Sequence, residues 1–571
     1  MEMRKPSRAA LLCCALFMSL ALWAQKNYPQ QYFRNPLDIP MQLVANFGEL
    51  RNNHWHMGLD IRTQQRENLP VMAAADGYIA RVNIDAIGFG RALVINHPNG
   101  LSTLYAHLNA FDPAIEQWVK AEQYKRQQWD VDLEIPRQLF PVTKGQFIAY
   151  SGNTGGSQGP HVHFEIRETA TDRCLNPMLF GFPIPDAVPP TVSRIALYDR
   201  NKSTYAQTPL LIGLRKAGAN WQPAAGNLIT SASNKISFAI GAVDRFTGYT
   251  NPNGIFCARI LMDGLLLSEF ELDRIDYDVT RYLNASTDYR YKAAGGPWLQ
   301  HVSRMPGDTS SVYHHTPTDG ILYLTDTATH DVQIEVSDAA GNHTTVAFSV
   351  RYNPAQARTY SAAPEQLVPA QVNVVEREDF ELYTSEYAVY DTINTTFVRS
   401  WAGTVGGVSP VFSVAAATHP VHDSVRVRIK VPENMDGEQQ QRLVIKGVAG
   451  SRTVIMPVSI SKGWASAKFR QLGSYQLILD QEPPAINAPG AASVVDARKL
   501  KRLVFTPRDN LDKIASFRAE VDGTWLRFTN DKGRTWIYNF DEMFPVGEHT
   551  LRVVVRDVAG NETVKEWRVM R

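Results

Sequence analysis

Past its first two dozen residues, this 571-residue chain has no apolar run long enough to cross a bilayer, for which about twenty such residues are needed. Neither sign of charge is in excess: 58 lysines and arginines face 57 aspartates and glutamates, a net charge of +1. There is no basic run, so the electrostatic footprint of a nucleic-acid binder is missing. Cysteine is scarce, at four residues, which excludes a disulfide scaffold. Cys13 and Cys14 fall in the opening segment. Cys174 and Cys257 lack zinc-ligand spacing and read either as one bridge or as two buried thiols.

The opening segment reads as an address. Arg4, Lys5 and Arg8 form a basic start, Ala9 to Trp23 an apolar stretch, and Ala24-Gln25 a cleavage point. The apolar stretch is about fifteen residues, short for a membrane span. A signal peptide over residues 1–24 predicts export to the periplasm or cell envelope, or secretion, with no transmembrane segment left after its removal. Cys13 and Cys14 follow Leu12 rather than a small residue, which argues against a lipid anchor.

The length exceeds one hydrophobic core and predicts three or four domains. Residues 26–185 alternate as strands with turns: Tyr78 to Ile84, Ala92 to Ile95, Leu101 to His107, Phe147 to Ser151 and Val162 to Glu168. A helical insert, about 111–138, interrupts them; Pro113 to Gln128 is rich in Ala, Glu, Gln and Lys. Further on, boundary phrases repeat. Asp186-Ala-Val-Pro-Pro190 and Asp480-Gln-Glu-Pro-Pro484 open two segments. These close on Asp338-Ala-Ala-Gly-Asn342 and Asp557-Val-Ala-Gly-Asn561, each phrase a turn between alternating runs. Both segments resemble bacterial immunoglobulin-like domains. The expected order is a β-sandwich over 186–352, a linker over 353–370, a second sandwich over 371–480 and a third over 481–571. The first copy is longer, mainly through a polar stretch between Ala285 and Gly320.

The chemistry-bearing residues all fall in the first third. His56 and Asp60 lie in His-Met-Gly-Leu-Asp, His107 ends Leu-Tyr-Ala-His, and His161 and His163 lie in Gly159-Pro-His-Val-His-Phe-Glu165. Zinc favours a tetrahedral shell, with three protein ligands and a water at catalytic sites. Residues two apart on a strand share a face, so His161, His163 and Glu165 project together, opposite Val162, Phe164 and Ile166. Gly58 allows a tight path that brings His56 and Asp60 to one ion. The Gly152 to Pro160 loop leads into His161 and is suited to wall a peptide groove. His54 is a rival ligand, His97 reads as a turn residue, and His314 and His315 as solvated histidines; Glu165 is either a support for a ligand or a surface carboxylate.

In this order, His-x-Gly-x-Asp, Tyr-Ala-His-Leu and Gly-Pro-His-Val-His-Phe-Glu resemble the lysostaphin/LytM-type zinc metalloendopeptidases, peptidase family M23, over about residues 45–180. The resemblance implies a mainly β chain: an antiparallel β-sheet metallopeptidase domain with a helical insert, followed by about three sandwiches. It implies one zinc ion held by His56, Asp60 and His163, with His107 and His161 as catalytic histidines beside the attacking water. Two features depart from the family: the insert replaces a short connection, and an assisting tyrosine upstream of His56 has no counterpart here.

The substrate so implied is peptidoglycan, cut in its cross-links or stem peptides. The competing readings are a non-catalytic or autoinhibited regulator of other wall hydrolases, and an adhesion protein whose sandwiches contact protein partners.

Overall fold

The computed structural model describes residues 28–314, 317–401, 403–487 and 494–571. The expected signal peptide, with Cys13 and Cys14, and also His315, lie outside the described residues. Among the described residues no helix is long and apolar enough to cross a membrane. The chain is mainly β.

Seven strands form the backbone of the N-terminal sheet. Their order is Leu43–Ala45, Leu59–Arg62, His161–Glu168, Leu101–Ala106, Arg91–Asn96, Gly77–Ile84 and Val131–Glu134, with all neighbours antiparallel. Period-two alternation drives this arrangement: Val162, Phe164 and Ile166 are fully buried on the apolar face of the central strand. A smaller sheet of Pro70–Met72, Phe147–Ser151 and Leu108–Phe111 accompanies it, and the shared core includes Ile61, Leu93, Tyr105, Phe111 and Ile148.

The insert is only partly helical. Asp112 caps a helix over Pro113–Arg126 by accepting from the Ala114 amide, Pro113 occupies the first turn, and Gln127 in the left-handed conformation ends it. The chain then returns as the Val131–Glu134 strand along the edge of the sheet. Val131 and Leu133 point inward and Asp132 and Glu134 outward. Four alternating residues in a charged stretch are enough for an edge strand, but too few to outweigh the helical composition around them.

Among the described residues, three further β-sheet bodies follow. One continuous twelve-stranded sheet lies within residues 191–352. Its polar excess carries two short helices, Leu283–Ser286 and Tyr289–Ala293, and His314 sits on a short strand opposite Glu269. Two five-stranded sheets within 373–479 then face one another across Phe380, Phe412, Val427 and Leu477. The last body joins a five-stranded to a two-stranded sheet around Phe505, Tyr538, Val553 and Trp567. Packing crosses the first boundary. Phe47, Trp55 and Met57 join the core of the twelve-stranded sheet, and Cys174–Leu175 pairs with Arg274–Ile275. Cys174 and Cys257 are free, buried thiols.

Candidate active site

Strand register assembles the site. Asp60 stands directly opposite His163, and on its other side His163 stands opposite Ala106, the residue before His107. Gly58 lets the His56–Asp60 segment close onto the central strand. A Cβ there would lie 2.4 Å from the Phe164 carbonyl oxygen and 3.1 Å from His163 Cε1. His107 has φ of 59°, a left-handed conformation rare outside glycine that breaks the strand and turns the chain toward Leu108–Phe111.

Three donor atoms meet. His56 Nε2 lies 3.0 Å from Asp60 Oδ1 and 3.0 Å from His163 Nδ1, and His163 Nδ1 lies 2.9 Å from Asp60 Oδ1. A tetrahedral shell with bonds of about 2.0–2.1 Å spaces its ligands about 3.3 Å apart, so the cluster needs to open by only a few tenths of an ångström. Two imidazole nitrogens and one carboxylate oxygen are a donor set suited to zinc. The ring orientations are fixed from behind. His56 donates through Nδ1 to the Asn46 carbonyl at 2.7 Å, and His163 through Nε2 to Glu165 Oε1 at 2.8 Å, leaving His56 Nε2 and His163 Nδ1 for a cation. All three residues are 6 % exposed.

His107 and His161 stand beside this cluster with ring centroids 4.8 Å apart, and His161 Nε2 is 3.4 Å from Asp60 Oδ1. Both take their orientation from the 152–160 loop. His107 donates through Nδ1 to the Thr154 carbonyl at 2.9 Å, and His161 through Nδ1 to the Gly159 carbonyl at 2.8 Å, with Ser157 Oγ at 3.2 Å.

The charges around the cluster are tightly coupled. Burial opposes the charge of Asp60, yet His56, His161 and His163 hold its carboxyl well below the usual range. Burial likewise opposes the charge of Glu165, which Arg167, His163 and Tyr277 hold low. Burial alone would lower His163, but Asp60 and Glu165 on either side raise it to about 9. His56 is lowered, chiefly by burial. His107 falls to about 3 through burial and the two neighbouring imidazoles, so it is a neutral proton acceptor. One positive charge therefore sits between two carboxylates at His163, where a divalent cation could replace it.

The five residues singled out in the sequence come together here, whereas His54 does not. It is exposed, with Nδ1 against the Asn52 carbonyl. His97 is no mere turn residue: it is buried, held by the Asp76 carbonyl and Thr103 Oγ1 at 2.8 Å each. Several contributors were missed. Arg51 pairs with Asp60 Oδ2 at 3.0 Å. Arg167 Nε donates to Glu165 Oε2 at 2.6 Å, and the Tyr277 hydroxyl donates to Glu165 Oε1. Arg167 continues the 161, 163, 165 alternation and was open to that reasoning. Tyr277 comes from the twelve-stranded body, and nothing local marks it.

The model of peptidase family M23 matches residues 54–124, which hold His56, Asp60 and His107, and that of the Zu5-like domain matches residues 365–480. The DD-carboxypeptidase/endopeptidase Mpg of Neisseria meningitidis serogroup B is 34% identical over 131 residues, 23% of this chain and 24% of that protein. An uncharacterized metalloprotease of Haemophilus influenzae is 34% identical over 128 residues, 22% of this chain and 21% of its own. The peptidoglycan DD-endopeptidase ShyA of Vibrio cholerae is 28% identical over 162 residues, 27% of this chain and 31% of its own. The chain thus matches about a quarter of the length of the first of these relatives.

Proposed function

We propose, from the premise that this chain carries a domain of peptidase family M23, that it is an exported, zinc-dependent endopeptidase. Its substrate is peptidoglycan, cut in the cross-links or stem peptides. The observation that carries this reading is the meeting of His56 Nε2, Asp60 Oδ1 and His163 Nδ1 within 3.0 Å, each imidazole anchored through its other nitrogen. The substrate class rests on relatives named as a DD-carboxypeptidase/endopeptidase and a peptidoglycan DD-endopeptidase. Export rests on the basic and apolar opening of the sequence.

His56, Asp60 and His163 are the residues to hold zinc. Zinc held there would supply Lewis acidity, which lowers the pKa of bound water toward about 7 and polarises a carbonyl. The chain's own residues then manage charge and protons. His107 and His161, aligned by the Thr154 and Gly159 carbonyls, share the tasks of taking the proton from the attacking water and steadying the developing oxyanion or leaving amine. Glu165, clamped by Arg167 and Tyr277, keeps the His163 ring in register.

A second reading, an enzyme gated by its own last body, is favoured by one observation. Asp531 Oδ1 accepts from the Gly155 amide at 2.9 Å and Lys532 Nζ donates to the Ser157 carbonyl at 2.8 Å, both on the loop that orients the two histidines. The test is digestion of purified peptidoglycan by the full chain, with and without chelation, the released peptides being identified by mass. The expected result is release that stops on chelation and returns with zinc. Release indifferent to chelation would overturn the metal assignment.

A further inference from the structure

The repeated boundary phrases, which the peptidase reading leaves unused, converge in space. Asp186 and Asp338 meet Asp244, and Asp480 and Asp557 meet Asp509, with carboxylate oxygens of each trio within 4.8 Å of one another. The trios occupy equivalent places in the twelve-stranded and the last bodies. Each takes one aspartate from the segment leading in from the preceding body and one from the closing Asp-x-x-Gly-Asn turn. The third aspartate in each was not evident in the sequence.

Three carboxylates this close need a cation or protons to share the space, and no lysine, arginine or histidine forms an ion pair with any of the six among the described residues. Asp244 is 1 % exposed and Asp480 2 % exposed. Asp244 Oδ1 and Asp480 Oδ2 are buried with no hydrogen-bond partner among the described residues, as are Asp186 Oδ2 and Asp509 Oδ1. A buried oxygen without a partner costs about 1–3 kcal/mol, more when charged. Burial, then Asp338 and Asp186, push the Asp244 carboxyl up to about 7, and burial raises Asp186, Asp338 and Asp509 as well.

The remaining oxygens are organised alike in both copies. The Asn342 amide donates to Asp338 Oδ2 at 2.8 Å and to the Asp186 carbonyl at 3.4 Å; the Asn561 amide donates to Asp557 Oδ2 at 2.9 Å and to the Asp480 carbonyl at 3.0 Å. Each asparagine thereby fixes one carboxylate against the incoming chain and leaves the other acids turned toward a common centre.

We infer that each trio is a calcium site, two per chain, pinning the segment that enters a β-body to that body's closing turn. The donors are oxygens only, which suits a hard cation; zinc prefers nitrogen and sulfur. Proteins exposed to extracellular calcium bind it at about 10⁻⁴–10⁻³ M, and similar affinity is expected here.

The test is equilibrium dialysis of the zinc-loaded full chain against calcium up to about 5 mM, above the weak end of the affinity range of such sites. The expected result is two calcium ions per wild-type chain, one in Asp244→Asn, one in Asp509→Asn and none in the double variant. Melting temperature should rise with calcium in the wild type and not in the double variant. No calcium uptake by the wild-type chain, which needs no variant to fold, would overturn the proposal. Undiminished uptake by a folded double variant would do so equally.

Discussion

His163 links the site to its support, because it stands between two carboxylates, Asp60 and Glu165, and bonds to both. With its pKa raised to about 9 by Asp60 and Glu165, it is protonated at neutral pH, and zinc must displace the Nδ1 proton. Zinc titrated calorimetrically at pH 7.5 in buffers of different ionisation enthalpy should therefore release at least about one proton per ion, ionisation of a coordinated water adding to it, and affinity should weaken as pH falls. Zinc binding without proton release would contradict this. The same shift fixes the sign of metal-free stability. A raised folded pKa binds more protons in the native state, so this contribution is full below the ordinary value of 6.5 and is lost as pH rises through about 9. At this scale much was legible: the alternation 161, 163, 165 placed the ligand, its neighbour and its supporting carboxylate on one face. Tyr277 and Arg51 were not, because each reaches the site from another hairpin or another body and leaves no pattern near the histidines.

Among the elements, the central His161–Glu168 strand and the segment closing on it decide whether the donors meet. Gly58 is the contact point, and its role could be inferred from the sequence as a tight path; the structure gives the reason as backbone approach to Phe164. Gly58→Ala should push the two strands apart, costing about 1–3 kcal/mol as overpacked sites do, and should weaken zinc binding at least about tenfold, the scale of lost ligand support. Thermal melts and zinc titration check it; unchanged values for both would contradict the assembly described. The strands themselves were legible because apolar and polar residues alternate along them. The insert was legible only through Arg126. Its helix has a cap, a proline and good helix formers, whereas the Val131–Glu134 strand depends on the sheet edge beside it.

For the whole molecule, the last body is part of the peptidase surroundings. It grips the insert helix through Lys120 against Asp541 and Glu542, Tyr124 against Asp541, and Arg527 against Gln123, then reaches the 152–160 loop with Asp531 and Lys532. No local sequence signal foretells a contact between residues nearly four hundred apart. Nor does any signal tell that Phe47 and Trp55 pack into the following body. Since that loop aligns His107 and His161, Lys532→Ala combined with Asp531→Ala should lower kcat about tenfold, a small share of the 10²–10⁴ that general acid–base catalysis supplies, while zinc content stays unchanged. A rise in kcat would instead favour gating by the last body. The division of labour among the five residues is tested most directly by measuring zinc per chain and peptidoglycan cleavage together in His161→Ala and His163→Ala. The account predicts that His161→Ala keeps its zinc and loses about 10²–10⁴ in rate, and that His163→Ala loses both. Zinc lost from His161→Ala but retained by His163→Ala, or cleavage at the wild-type rate by either, would contradict it.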